Sequence, residues 1–263
     1  MHDPLEGITP DGLIVTGASP DHIASSFKPV LDAATNAVRA AGDDVSLYLY
    51  GSVATGMARS PESDVDLFTV GLPSTEADAL RSALSEEFSD TCRAVAVGAA
   101  QHSDYVGDRD EAYGNRVFLR HYCVHLLGPD LHSGLPDFAA DAAAARGFNG
   151  DIAQHAQRWR NDLVAGSDPV LLGRRLARKV LFAVAGLVSV HDHTWTTDRR
   201  VAVARWAEIE PALADELHTL LEWSLGDGMP EWRTVESALD GVVTQVVSAF
   251  EASIGLWDAG KGA

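Results

Sequence analysis

The stretch YGSVATGMARSPESDVDLFTV, residues 50–70, constrains the fold more than any other part of the chain. An apolar run, VSLYLY, ends at Gly51-Ser52, and a second apolar run over residues 64–71 carries Asp64 and Asp66. Both runs read as strands, so this region belongs to a sheet. Residues i and i+2 of a strand face the same side. Asp64 and Asp66 therefore project together, while Val65 and Leu67 face the other way. Two close carboxylates repel and raise each other's pKa. The arrangement becomes favourable when a divalent cation lies between them and a phosphate-bearing ligand. Mg²⁺ prefers hard oxygen ligands and commonly keeps one or two carboxylates together with substrate phosphates. The tight Gly51-Ser52 turn lets backbone N–H groups and a hydroxyl approach a phosphate closely. Together these parts suit phosphoryl or nucleotidyl transfer, where positioning and charge neutralisation supply most of the catalysis.

Patterning extends the sheet in both directions. Residues 20–41 show apolar residues at helical spacing and end before Gly42, with Pro29 marking a start or a kink. Residues 74–88 read as a helix with Ser74 as N-cap and early acids. CRAVAVG, residues 92–98, reads as a short buried strand, and the acid-rich stretch 101–115 as a loop. NRVFLRHYCVHLLG, residues 115–128, reads as a longer strand stopped by Gly128-Pro129, with His121 and His125 alternating along it. After about residue 140 only helical patterns follow, separated by Gly, Pro, Asp or Ser breaks. The expected class is α+β: a mixed sheet with helices over residues 1–140, then an α-helical bundle over residues 141–263, with the boundary in 137–150.

Charge narrows the partners. The formal charge of the 263 residues is -18, a surface that repels nucleic acid and attracts a cationic small molecule. Nine of the 20 Lys and Arg nevertheless lie between Arg158 and Arg205, a cluster that needs an anion or carboxylate partners. Arg174 and Arg178 stand i, i+4 on one helix face, with Lys179 beside them, and either bind phosphate or pair with nearby acids. No apolar run reaches the roughly 18 residues needed to span a bilayer. The polar, acidic start is unlike a signal peptide, and Cys92 and Cys123 read as buried thiols. Both features point to the cytoplasm. His191-Asp192-His193 is a weak zinc signal without further ligands at useful spacing. Trp195, in the polar loop that follows, could stack on a sugar or a base.

Residues 50–70 resemble the signature of polymerase-β-like nucleotidyltransferases: an apolar strand, Gly-Ser, a spacer, and Asp-x-Asp on the next strand. Within that superfamily the chain is similar to aminoglycoside adenylyltransferases of the streptomycin/spectinomycin type, through VFLRHYCVHLLGPDL (117–131), GRRLARKVLFAVAGLVS (173–189) and TTDRRVAVARWAEIEP (196–211). The resemblance implies an enzyme that transfers AMP from ATP to a hydroxyl of a small, cationic acceptor and releases pyrophosphate. It implies that Gly51 and Ser52 hold the triphosphate, that Asp64 and Asp66 hold Mg²⁺, and that the acceptor lies between two domains. Arg174, Arg178 and Lys179 are the accompanying phosphate-binding candidates.

Two departures stand out. The family's third carboxylate, its general base, falls at Ala96, and Ala94, Ala96 and Gly98 share one face without a titratable group. Arg200 occupies the place of the family's phosphate-binding lysine; arginine presents a fork where lysine presents a point charge. General-base help is worth about 10²–10⁴ in rate, so its loss weakens the catalytic expectation without removing it. Asp104 is the nearest substitute in the following loop, with Asp108, Asp110 and Glu111 further on, and His121 or His125 as other bases. The remaining alternatives are a nucleotide-binding regulatory or antitoxin-like protein without turnover, and a nucleotidyltransferase toxin acting on tRNA or protein.

Overall fold

The computed structural model describes residues 3–257. The chain divides into two compact units. Of the described residues, the first takes 3–6, 14–108 and 115–138, and the second takes 7–13, 109–114 and 139–257.

The first unit is built on a four-stranded mixed sheet. Its strands are β1 (Ser46–Tyr50), β2 (Val65–Val70), β3 (Val95–Ala100) and β4 (Val124–Leu127), in spatial order β3-β2-β1-β4. Strand β1 pairs antiparallel with β2 and β4, and β2 pairs parallel with β3. The parallel pair needs a crossover, which α3 (Ser74–Glu87) supplies. Helix α1 (Lys28–Ala41) starts with Pro29 in its first turn, where a missing N–H costs nothing. Both helices cover one face of the sheet, where Val30, Leu31, Ala34, Val38, Ala77 and Leu84 join Leu47, Leu49, Val65 and Leu67 in a single apolar core. Pro73 takes the N-cap position of α3, and Ser74 is already helical and caps nothing.

The opposite face corrects the sequence reading. Residues 115–122 belong to a helix, α4 (Asp110–Tyr122), and only Val124–Leu127 forms the strand β4. Acids in the first turn of α4 and Arg120 and His121 in its last match the helix dipole. The stretch read as a loop, 101–115, contains a 3₁₀ turn at His102–Tyr105 and the start of α4. Leu119 and Cys123 pack with Tyr48 and Val70, flanked by Tyr50, Phe68, Tyr105 and Phe118.

The second unit is helical: α5 (Ala142–Asn149), α6 (Ile152–Val164), α7 (Pro169–His191), α8 (Arg199–Ile209), α9 (Ala214–Leu225), α10 (Trp232–Ala238) and α11 (Thr244–Ser253). The stretch 198–226 is broken at Pro211 into α8 and α9, and α5 forms inside the stretch read as a boundary. Helix α7 is the axis, packed by α5, α6, α8, α9 and α11. Its residues from Leu172 to Ser189 are largely buried, including Leu176, Val180, Leu181, Val184 and Leu187. Among the described residues, no helix is long and apolar enough to cross a membrane.

Candidate functional site

Strand β1 ends at Tyr50, and the chain turns at Gly51 with φ +75°, a left-handed backbone that favours glycine. A one-turn helix, α2 (Gly51–Ala54), follows. The carbonyl of Ser52 accepts from the amides of Met57 (2.9 Å) and Ala58 (3.0 Å), which fixes the bend. The antiparallel register then sets Asp66 of β2 opposite Tyr50. The bend and the second aspartate are thus brought to one end of the sheet by the ladder itself.

Asp64 immediately precedes β2. Arg93 holds it with a fork: Nε donates to Oδ1 (3.0 Å) and Nη2 to Oδ2 (2.6 Å). The backbone braces this pairing, because Arg93 N donates to Ser63 O and Val65 N to Ala94 O. Arg93 is 69% exposed, so the pair itself adds little stability.

Asp66 has a different setting. Tyr50, Phe68 and Phe118 form an aromatic group on its side of the sheet, with Phe118 edge-on to Tyr50 (5.2 Å) and to Phe68 (5.9 Å). Burial pushes the Asp66 carboxyl up to about 6, the nearby Asp64 charge adds to this, and Arg93 partly opposes it. Burial and Asp66 likewise raise the Tyr50 phenol.

The parallel register puts Ala96 level with Asp66, and Gly98 level with Phe68. A Cβ at Gly98 would lie 2.9 Å from the Phe68 ring, so Phe68 lies over that glycine. No titratable side chain of β3 faces Asp66. Asp104 does not replace one. It follows the far end of β3, beyond Ala100, which pairs with Val70. Four residues of strand, roughly 13 Å, separate that level from Asp66, and Asp104 Oδ2 accepts from the Gln101 amide (2.8 Å). Asp110 is engaged by Arg146 (2.8 Å).

The two histidines are also committed elsewhere. His121 lies on α4, where its Nε2 accepts from the Phe138 amide (2.9 Å), and burial pulls it down to about 4. His125 contacts the Gly128 carbonyl (3.0 Å) and lies against Tyr48. Both hold the chain that leaves β4 in place.

In the helical unit the cationic candidates separate into two groups. Arg178 donates to Ser224 O (3.3 Å), and Arg174 lies beside Gly226, the C-cap of α9. The carbonyl end of a helix attracts cations. Arg199, which the motif reading missed, joins them. Burial and the charges of Arg178, Arg174 and Arg200 lower its guanidinium, against Asp198. Asp198 caps α8 through the amides of Arg200 (2.8 Å) and Val201 (3.2 Å). Arg174, Arg178 and Arg200 therefore gather their charges around Arg199, with Asp198 opposing them. Lys179 does not belong to this group: it pairs with Asp151 (2.8 Å) and donates to Phe148 O (3.0 Å). Trp195 is 3% exposed and packs on Phe148, so its ring is a core element and has no open face for a sugar or a base.

Residues 31–115 match the model of the nucleotidyltransferase domain family. No curated protein is detectably similar to the chain. Among solved structures, the chain is similar to spectinomycin adenyltransferase AAD(9) from Enterococcus faecialis, crystallised with ATP and spectinomycin. The TM-score is 0.53 at 12% identity, over 84% of this chain and 99% of that one. That likeness is one of fold.

Proposed function

We propose, from the match of residues 31–115 to the nucleotidyltransferase domain model, that the protein transfers AMP from ATP to a hydroxyl of a small, cationic, aminoglycoside-like acceptor. The observation that carries this reading is the register that sets Asp66 opposite Tyr50, next to the Gly51-Ser52 bend, with Asp64 on the same side. The donor set fits Mg²⁺: two hard carboxylates and a phosphate-accepting bend, with the remaining ligands left to water and substrate. Asp64 and Asp66 would hold the ion, which supplies charge neutralisation of the triphosphate.

The chain's own residues supply the rest. Ser52 and the amides of the bend orient the triphosphate. Asp66, whose carboxyl is raised by burial in the metal-free protein, has to give up its proton before it can ligate. The acceptor hydroxyl attacks the α-phosphorus, the bond to pyrophosphate breaks, and the hydroxyl proton leaves to solvent or to an amine of the acceptor. Arg174, Arg178, Arg199 and Arg200 are the proposed phosphate ligands of the helical unit. The -18 charge favours a polycationic acceptor over nucleic acid.

The test is incubation with ATP labelled on the α-phosphate, Mg²⁺ and a panel of aminoglycosides including spectinomycin and streptomycin. Labelled acceptor together with pyrophosphate is the expected result; absence of both nucleotide binding and transfer refutes the reading. Ala96 beside Asp66 favours one alternative, a nucleotide-binding regulator of the same fold. ATP·Mg²⁺ binding without pyrophosphate release under any acceptor would select it.

A further inference from the structure

We propose that the carboxylate pair holds one divalent cation and no second one, with the guanidinium of Arg93 as the other positive group at the carboxylates. This inference rests on the nucleotidyl-transfer reading above. Two-metal sites set their ions about 3.5–4 Å apart, and each ion needs ligands of its own beyond the shared carboxylates. The register leaves none for a second ion on β3, where Ala96 and Gly98 run level with Asp66 and Phe68. The histidines of α4 and β4 are taken by the Phe138 amide and the Gly128 carbonyl. Among the described residues, no three His, Cys, Asp or Glu side chains gather into a metal-binding group.

What does stand at the carboxylates is Arg93. Its fork uses one lone pair from each oxygen of Asp64. Each oxygen can accept again, so Asp64 can still ligate one cation while paired. The guanidinium does not deprotonate, so its positive charge stands beside the carboxylates at any working pH. The backbone of Arg93 is anchored through its amide to Ser63, and its guanidinium is held by the fork to Asp64.

The experiment counts metal ions. Protein saturated with α,β-methylene-ATP, whose α–β bridge does not cleave, is titrated with Mn²⁺, and free Mn²⁺ is followed by electron paramagnetic resonance. One Mn²⁺ per bound nucleotide is expected. Ala96→Glu, at a partly exposed position of an edge strand, restores a carboxylate level with Asp66 and is expected to raise the count to two; Ala96→Asp is the second variant should the first fail to fold. Arg93→Gln is expected to leave the count at one and weaken the analogue roughly tenfold, as for loss of one close charge. Two Mn²⁺ in the native protein, or a count that stays at one in folded, nucleotide-bound Ala96→Glu and Ala96→Asp, overturns the proposal while the transfer reading stands. Absence of nucleotide binding in the native protein overturns both.

Discussion

Asp66 and Leu67 are neighbours in β2 that point to opposite faces of one sheet. Leu67 is fully buried in the core under α1 and α3. Asp66 lies on the face of Tyr50, Phe68 and Phe118, with its carboxyl held up to about 6. One face was built to close and the other to keep a charge ready at a cost. Exchanging Asp66 for Asn should give the largest effect: a loss of transfer of about 10²–10³ or more, the scale of one preorganised electrostatic contact. The fold should at the same time become more stable at pH 8, seen as a higher melting temperature. Leu67→Ala should do the reverse, losing about 2–5 kcal/mol of stability in denaturant titrations while the folded fraction keeps its kcat/KM at low temperature. If both substitutions destabilise alike, the contrast between the faces is wrong.

pH sharpens the same comparison. The Asp66 carboxyl is raised from 3.8 to about 6, so the native state favours its protonated form. That stabilisation is complete below about pH 4 and is lost as the pH rises through about 6. The loss amounts to about 3 kcal/mol for a shift of about two pK units. His121, lowered from 6.5 to about 4, contributes a slope of the opposite sign over the same range, so the Asp66 slope is read as the difference between melting curves of the native protein and Asp66→Asn in metal-free buffer between pH 4 and 8.

The helical unit contains a second pair of unlike neighbours. Lys179 pairs with Asp151, and Arg178 adds its charge to those of Arg174 and Arg200 around Arg199. Lys179→Ala strands a largely buried carboxylate and should cost about 2 kcal/mol with nucleotide affinity unchanged, compared by unfolding and by calorimetry. Arg178→Ala should give the smallest effect, about a tenfold loss of ATP affinity that shrinks with added salt, with stability within about 0.5 kcal/mol of the native protein.

The site-forming part of the fold was the most legible in the sequence. Strand, Gly-Ser, strand and Asp-x-Asp obey a period of two, and the antiparallel ladder turns that period directly into proximity. Helix α4 was not legible. Val117, Phe118 and Tyr122 are the β-branched and aromatic types that favour strands, and the helix is buried on more than one side, through Ala112, Gly114, Val117 and Leu119, which erases the amphipathic stripe. Its acidic first turn and basic last turn were the available signal. Misreading α4 placed His121 on a strand and hid Phe118, the ring over the Asp66 face. Trp195 and Lys179 looked functional because polar context and neighbouring charges are visible in sequence, while burial and pairing across helices are not. Arg199 was overlooked for the converse reason: its three cationic neighbours come from α7 and from the next residue in the chain.

Gly114 and Gly147 bring two backbones together within the helical unit. A methyl group on either would lie within 2.3–2.7 Å of the other's main chain. No side chain can be threaded into that seam, and no neighbouring rotamer can make room for one. At 12% identity to a protein of the same fold, few positions can be matched by residue type. A crossing that admits only hydrogen fixes the spacing of the two main chains by backbone contact alone, so their separation here does not depend on the size of any side chain.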